Sequence, residues 1–335
     1  MRHRPLPVIA IVLALIATGA VAAPAAAGDP ARSEHQRIVE YWTAERMESA
    51  RPREMVLDRA GRLVKPLVAN SGGQSWPTGT ANAGGLVARA EGRVYFSIGT
   101  SNYVCSGTVV TDGRADYSLV LTAGHCAYDQ AKATWATNWL FIPEADGLGI
   151  SIPPPCEQSV RGCWTASALV AHSRFTSATS FTTTAARYDY AFAVVGAGGK
   201  AGGQLDADGS DADTAPDSLP IAYSGVKTGT LMYAFGYPAA APYAGNDLVY
   251  CSGKIGQDLF NAYQTWSIVC NQTGGASGGG WLSGFSETTG IGTLGSVNSY
   301  RYSFSNRMYG PKFTTYTQAV YNAANGATSG TIAVP

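Results

Sequence analysis

The spacing of apolar and polar positions changes character along the chain. From about Leu6 to Ala20 the run is continuously apolar behind Arg2 and Arg4, and it ends in the small-residue sites Ala20-Val21-Ala22 and Ala25-Ala26-Ala27. A basic head, an apolar middle and a small-residue cleavage pattern predict a secretory signal peptide over 1–27. A permanent membrane helix would need roughly 20 apolar residues, more than this run supplies. From Gly28 to about Gly84 charges concentrate and cysteine is absent, and Glu34 to Trp42 carries apolar residues at helical spacing ahead of Pro52. Residues 28–86 therefore read as a pro-segment with a short helix, or alternatively as a charged linker without structure. From about Val87 the pattern becomes that of strands between turns, as in Gly92 to Gly99 and Tyr117 to Thr122. Gly196 to Ser218 is rich in Gly, Asp and Ala and cannot build a core, so it divides two β units, about 87–196 and 218–324. Its aspartates lack the bidentate Glu of a calcium loop. Thr314 to Asn325 has Tyr316, Val320 and Tyr321 at helical spacing and predicts one closing helix.

Composition sharpens this picture. The 40 glycines and 18 tyrosines among 335 residues suit short strands and tight turns, which makes an all-β body the expectation. Lys plus Arg equals Asp plus Glu at 23 each, and charged residues are 14% of the chain. No field of one sign is available for nucleic acid or an anionic membrane, and neither is expected as a partner. Six cysteines in an exported chain can close three bridges, and fifteen connectivities are possible. Neighbour pairing closes the shortest loops: Cys105 with Cys126, Cys156 with Cys163, and Cys251 with Cys270. No C-x2-C spacing occurs and only four histidines exist, so no metal site is expected.

The chemistry lies in three motifs. His125 sits in Leu121-Thr122-Ala123-Gly124-His125-Cys126, at the end of a strand, with a cysteine beside it. Ser277 sits in Thr273-Gly274-Gly275-Ala276-Ser277-Gly278-Gly279-Gly280-Trp281, where glycines let backbone amides approach a substrate. Asp189 opens the apolar strand Asp189-Tyr190-Ala191-Phe192-Ala193-Val194-Val195, where a carboxylate can leave bulk water and orient an imidazole. Asp116 and Asp129 are the other candidates. A serine hydroxyl needs such a base, an orienting acid and oxyanion donors before it attacks a carbonyl well.

These motifs, in this order, resemble the chymotrypsin-like serine peptidases over about Val87 to the C-terminus. The resemblance implies two antiparallel six-stranded β-barrels with the active site in the cleft between them and a short C-terminal helix. It implies a triad of His125, Asp189 and Ser277, oxyanion amides at Gly275 and Ser277, and hydrolysis of peptide bonds in protein or peptide substrates through an acyl-enzyme. No cofactor is implied, and a monomer is expected. The Cys105-Ser106-Gly107 strand matches the one that the family bonds to the cysteine after its histidine, while Gly124 replaces the family's second alanine. The Thr-Gly-Gly-x-Ser-Gly-Gly form and Phe235-Gly236-Tyr237-Pro238 look like the V8-like glutamyl endopeptidase branch. That branch uses a histidine in the strand after its nucleophile; here no histidine follows His172, and the strand reads Gly295-Ser296-Val297-Asn298-Ser299. Asn271, Thr273, Ser296 and Asn298 are the expected pocket wall. Ala276 stands where digestive members carry the aspartate that receives a new N-terminal ammonium. A catalytically silent peptide-binding homologue and an esterase using the same triad are the competing readings.

Overall fold

The alternating pattern downstream of Val87 folds as strands, and segments upstream of it contribute strands as well. The computed structural model describes Met1, residues 33–65, 73–77, 84–145, 156–200, Gly202, Leu205 and residues 218–335. The signal peptide and most of the glycine-rich connection lie outside the described residues. Met1–Arg32 is one unit, and Ser33–Pro335 is a second. In the second unit the chain begins with α1 (Glu34–Tyr41), α2 (Ala44–Glu48), β1 (Arg51–Pro52), β2 (Met55–Leu57), β3 (Gln74–Ser75) and α3 (Gly85–Ala90). Next come β4 (Glu91–Ile98), β5 (Ser101–Val110), β6 (Ser118–Thr122), a 3-10 turn at Gly124–Cys126, β7 (Tyr128–Asp129), β8 (Thr134–Trp135) and β9 (Thr137–Pro143). They are followed by β10 (Trp164–His172), α4 (Ser173–Thr176), α5 (Thr183–Ala186) and β11 (Ala191–Val195). Past the connection lie β12 (Leu231–Gly236), β13 (Val249–Lys254), β14 (Gly256–Gln257), β15 (Thr265–Val269), β16 (Gly280–Ser286), β17 (Ile291–Val297), β18 (Tyr300–Tyr302) and β19 (Arg307–Pro311). The chain closes with α6 (Thr315–Gly326) and β20 (Gly330–Val334).

The first half is a closed barrel. Strands β5, β4, β9, β10, β11 and β6 pair in that order, and β6 returns to pair with β5, so no edge is left within the ring. Val94, Phe96, Leu121, Phe141, Val170 and Phe192 are completely buried and fill the core. The second half, the counterpart of the second expected barrel, is hydrogen-bonded as two five-stranded sheets, β17-β16-β12-β13-β3 and β14-β15-β19-β18-β2, around a shared core. The pairing shifts register in the β16–β17 ladder between Trp281 and Leu282 and again between Ser283 and Ser286, which bends that hairpin. The Cys251–Cys270 bridge joins the two sheets, which share Met232, Trp266, Ile268, Trp281 and Met308 in one apolar cluster. The pairings Cys105–Cys126 and Cys156–Cys163 are also formed. The all-β class, a closed six-stranded barrel and the short C-terminal helix thus agree with the sequence reading.

The region before Val87 is ordered where it is described, and the unstructured-linker alternative does not hold there. Ser33 caps α1 through a reciprocal capping box with Gln36, which satisfies two amides that the helix would otherwise leave open. Ile38 and Trp42 are buried, and the Trp42 indole donates to Asn138 O at 2.6 Å. Downstream, β1 joins β5, β2 joins β18 and β3 joins β13. No helix among the described residues is long and apolar enough to cross a membrane.

Candidate active site

One antiparallel ladder brings the candidate base and the candidate acid together. β6 pairs with β11 with Thr122 opposite Ala191, so the turn just after β6 faces the turn just before β11. His125 lies in the first and Asp189 in the second. The Asp189 carboxylate is fully buried and accepts from the His125 backbone N–H at 2.8 Å through Oδ1. Its Oδ2 lies 2.8 Å from His125 Nδ1 and accepts from Ser299 Oγ at 2.5 Å. A carboxylate can only accept, so the imidazole proton sits on Nδ1 and the Nε2 lone pair is left as the basic site. Gly124 has a local reason: a Cβ there would lie 3.0 Å from the Phe175 ring and 3.1 Å from Asp189 Oδ1. The family's alanine would be crowded at that point. The bridge to Cys105 anchors the turn to β5. Asp116 instead pairs with Arg114, and Asp129 with Arg53.

Ser277 lies in the tight turn before β16. Gly275 has φ 99° and Gly278 has φ 89°, both in the left-handed region where a side chain is strained. A Cβ on Gly275 would stand 2.7 Å from Ala239 N, and one on Gly278 would strike Thr122 Oγ1 and Ser106 O. Buried polar groups hold this loop from behind. Ser106 donates from its hydroxyl to Gly275 O and from its backbone N–H to Ser277 O, both at 2.8 Å. Asn298 Nδ2 donates to Ala276 O, Gln272 Oε1 and Phe235 O, while Trp281 donates to Asn298 Oδ1 at 2.7 Å.

The expected pocket wall is therefore divided. Asn298 and Ser296 are completely buried, and the Ser296 hydroxyl donates to Pro311 O at 2.8 Å. Asn298 holds the loop that carries Ser277, and Ser296 ties β17 to β19. Thr273 donates to Ala240 O at 2.6 Å, and Asn271 is partly buried at the start of the loop. Sequence reasoning did not assign Ser299 or Ser106 a role, since one serine among many carries no signal until the fold places it. Cys105, His125 and Cys126 cluster closely enough to suggest a metal. Both cysteines are in their disulfide, so neither offers a thiolate.

The cleft also contains a segment of the region that the sequence reads as a pro-segment. Ser277 Oγ donates to the backbone carbonyl of Arg53 at 3.1 Å, and Gly275 N–H points to the same oxygen at 3.4 Å. His125 Nε2 is buried with no hydrogen-bond partner among the described residues. Arg53 pairs with Asp129 at 2.8 Å, and Glu54 pairs with Arg301.

No family model matches this chain, and no curated protein matches it. Solved structures do. The chain is 33% identical to the protease Anisep from Arthrobacter nicotinovorans, with a TM-score of 0.57 over 76% of this chain and 99% of that one. It is also 33% identical to the thermostable serine protease AL20 from an extremophilic microorganism, with a TM-score of 0.58 over 72% of this chain and 100% of that one. A Glu endopeptidase, 19% identical, shares the fold at a TM-score of 0.54 over 78% of this chain and 100% of that one. With the ordered motifs, the closed barrel and this likeness together, the chain belongs to the chymotrypsin-like serine proteases.

Proposed function

We propose that the protein is a secreted serine endopeptidase whose triad is His125, Asp189 and Ser277. The observation that carries this reading is the grip of Asp189 on His125, in which one carboxylate accepts from both the ring and the backbone of the same residue. That grip fixes the tautomer with the basic nitrogen free for a serine proton. In this scheme Ser277 Oγ bonds to the substrate carbonyl carbon as its proton passes to His125 Nε2. The carbonyl oxygen becomes an oxyanion facing the Gly275 and Ser277 amides, and Nε2 returns the proton to the departing amine. Water then enters, its oxygen bonding to the ester carbon as its proton passes to Nε2, and the acid leaves as Nε2 returns that proton to Ser277 Oγ.

Three disulfides fit an oxidising compartment, which supports export through 1–27. Residues 28–86 are proposed to be a pro-segment. A fluorophosphonate probe should attach to Ser277 in the secreted protein, and mass spectrometry of the labelled peptide should show the adduct disappear in Ser277→Ala. Label carried on another residue, or on none, would sink the triad and favour a silent homologue.

A further inference from the structure

We propose, building on that catalytic reading, that residues 51–57 are an inhibitory strap that fills the cleft in the direction opposite to a substrate and therefore resists cleavage. The chain first joins the barrel, where β1 pairs parallel with β5, Arg51 opposite Tyr103 and Pro52 opposite Val104. Arg53 N–H then donates to Val104 O at 3.1 Å, and the Arg53 carbonyl lies over the nucleophile. Next β2 pairs parallel with β18, Met55 opposite Tyr300 and Leu57 opposite Tyr302, and Ser303 N–H donates to Leu57 O at 2.9 Å. Met55, Val56 and Leu57 are buried. Two ion pairs flank the central carbonyl, Arg53 with Asp129 beyond the histidine turn and Glu54 with Arg301 on β18. Opposite charges on the two adjacent residues at its centre, each met by its complement, set the strap's register in the cleft.

Polarity makes this an inhibitor. Hydrolysis requires the departing nitrogen to receive a proton from His125, so the C-terminal part of a substrate must lie toward β5, which Cys105–Cys126 ties to the histidine turn. In the strap the N-terminal part lies there, and the Glu54 nitrogen leads away toward β18. The Ser277 proton is also spent on the Arg53 oxygen, and the Gly275 donor is directed to that same oxygen. Both ends are held by ladders and ion pairs, so the segment cannot turn round without leaving the cleft.

The test compares the full chain with the double variants Arg53→Glu/Glu54→Lys and Arg53→Gln/Glu54→Gln; the neutral pair serves if the charge-reversed protein does not fold. Fluorophosphonate labelling of Ser277 is timed, hydrogen exchange is followed at the amides of residues 53–57, and intact mass is monitored. Labelling at least tenfold faster in a variant, with exchange protection lost there and no product ending at Arg53 in the unmodified chain, is expected. Equal labelling rates, unchanged protection in the variants, or cleavage between Arg53 and Glu54 would overturn the strap. Loss of protection without labelling of any form would overturn the hydrolase reading and the inhibitory role together.

Discussion

The barrel formed by β4, β5, β6, β9, β10 and β11 holds His125 and Asp189 by apolar packing, whereas the sheets downstream hold Ser277 through buried polar side chains. In the barrel, Val94, Leu121 and Phe192 are completely buried and bring no side-chain polar atom with them. The β6–β11 register then places two turns side by side, where the Cys105–Cys126 bridge and the hydrogen bonds to Asp189 hold them. Behind Ser277, Asn298 and Gln272 are completely buried and hydrogen-bonded. The reason is the glycine content of the nucleophile loop. A backbone without side chains cannot be fixed by packing, and its buried N–H and C=O groups must find partners. A ladder can deliver an acid and a base, but a glycine loop has to be gripped by polar side chains. Ala276 fits this picture, since it is fully buried and its carbonyl is held by Asn298, with no charge involved.

The two halves should fail differently when broken. The largest effect belongs to chemistry: Ser277→Ala and His125→Ala should each lower peptide hydrolysis by about 10⁴-fold or more, and Asp189→Asn by roughly 10⁴-fold at neutral pH, with thermal unfolding little changed. Activity retained within tenfold in any of them would redirect the assignment. Phe192→Ala should cost about 3–5 kcal/mol of stability in denaturant unfolding by opening a cavity, while the folded fraction labels at Ser277 normally. Asn298→Ala should cost less stability, about 1–3 kcal/mol. It should nevertheless lower kcat with KM nearly unchanged, because the loop carrying Ser277 and the Gly275 amide loses its anchor. Equal effects of these two substitutions on stability and on labelling would erase the contrast between the halves.

A last effect, read as a slope with pH, concerns a link across the halves. Glu91 at the start of β4 is fully buried and accepts through Oε1 from Thr108 Oγ1 at 2.7 Å and from Gly280 N–H at 3.0 Å. Burial pushes its carboxyl up to about 8 from an ordinary 4.5, against the pull of those two donors. Between these values the folded state binds the extra proton, so stability is greatest below the lower value and falls as pH rises toward the upper one. The slope from this group is at most ~1.4 kcal/mol per pH unit. Glu91→Gln should flatten it, as read from unfolding midpoints at pH 5 to 8, and an unchanged profile would remove Glu91 as the cause.

Much of the candidate site stood out in the sequence because the chemistry proposed for it needs rare residue types in conspicuous settings. His125 is one of few histidines and follows an apolar strand, Ser277 is enclosed by glycines, and the closing helix shows its spacing at Tyr316, Val320 and Tyr321. Ser106, Ser299 and Asn298 were not legible in these roles, because their partners lie far away in sequence: Ser299 meets Asp189 across 110 positions and Ser106 meets Gly275 across 169. The strap was hidden for a related reason. Arg51 to Leu57 is too short to show a strand period, and its pairing depends on Tyr103–Val104 of β5, beyond the stretch that pairs with β6, and on β18, which are set only after both halves have folded.

Local pattern by itself determined the all-β class and the types of group available for catalysis, since turns and strands are settled over a few residues, whereas the choice among fifteen cysteine connectivities waited for the fold. The tertiary structure alone decided that the first half closes into a ring while the second is two bonded sheets, and which aspartate meets His125. It also decided that a carbonyl from position 53 lies against a hydroxyl at position 277. Those outcomes depend on register and on contacts between distant segments, whose energies no short window of sequence contains.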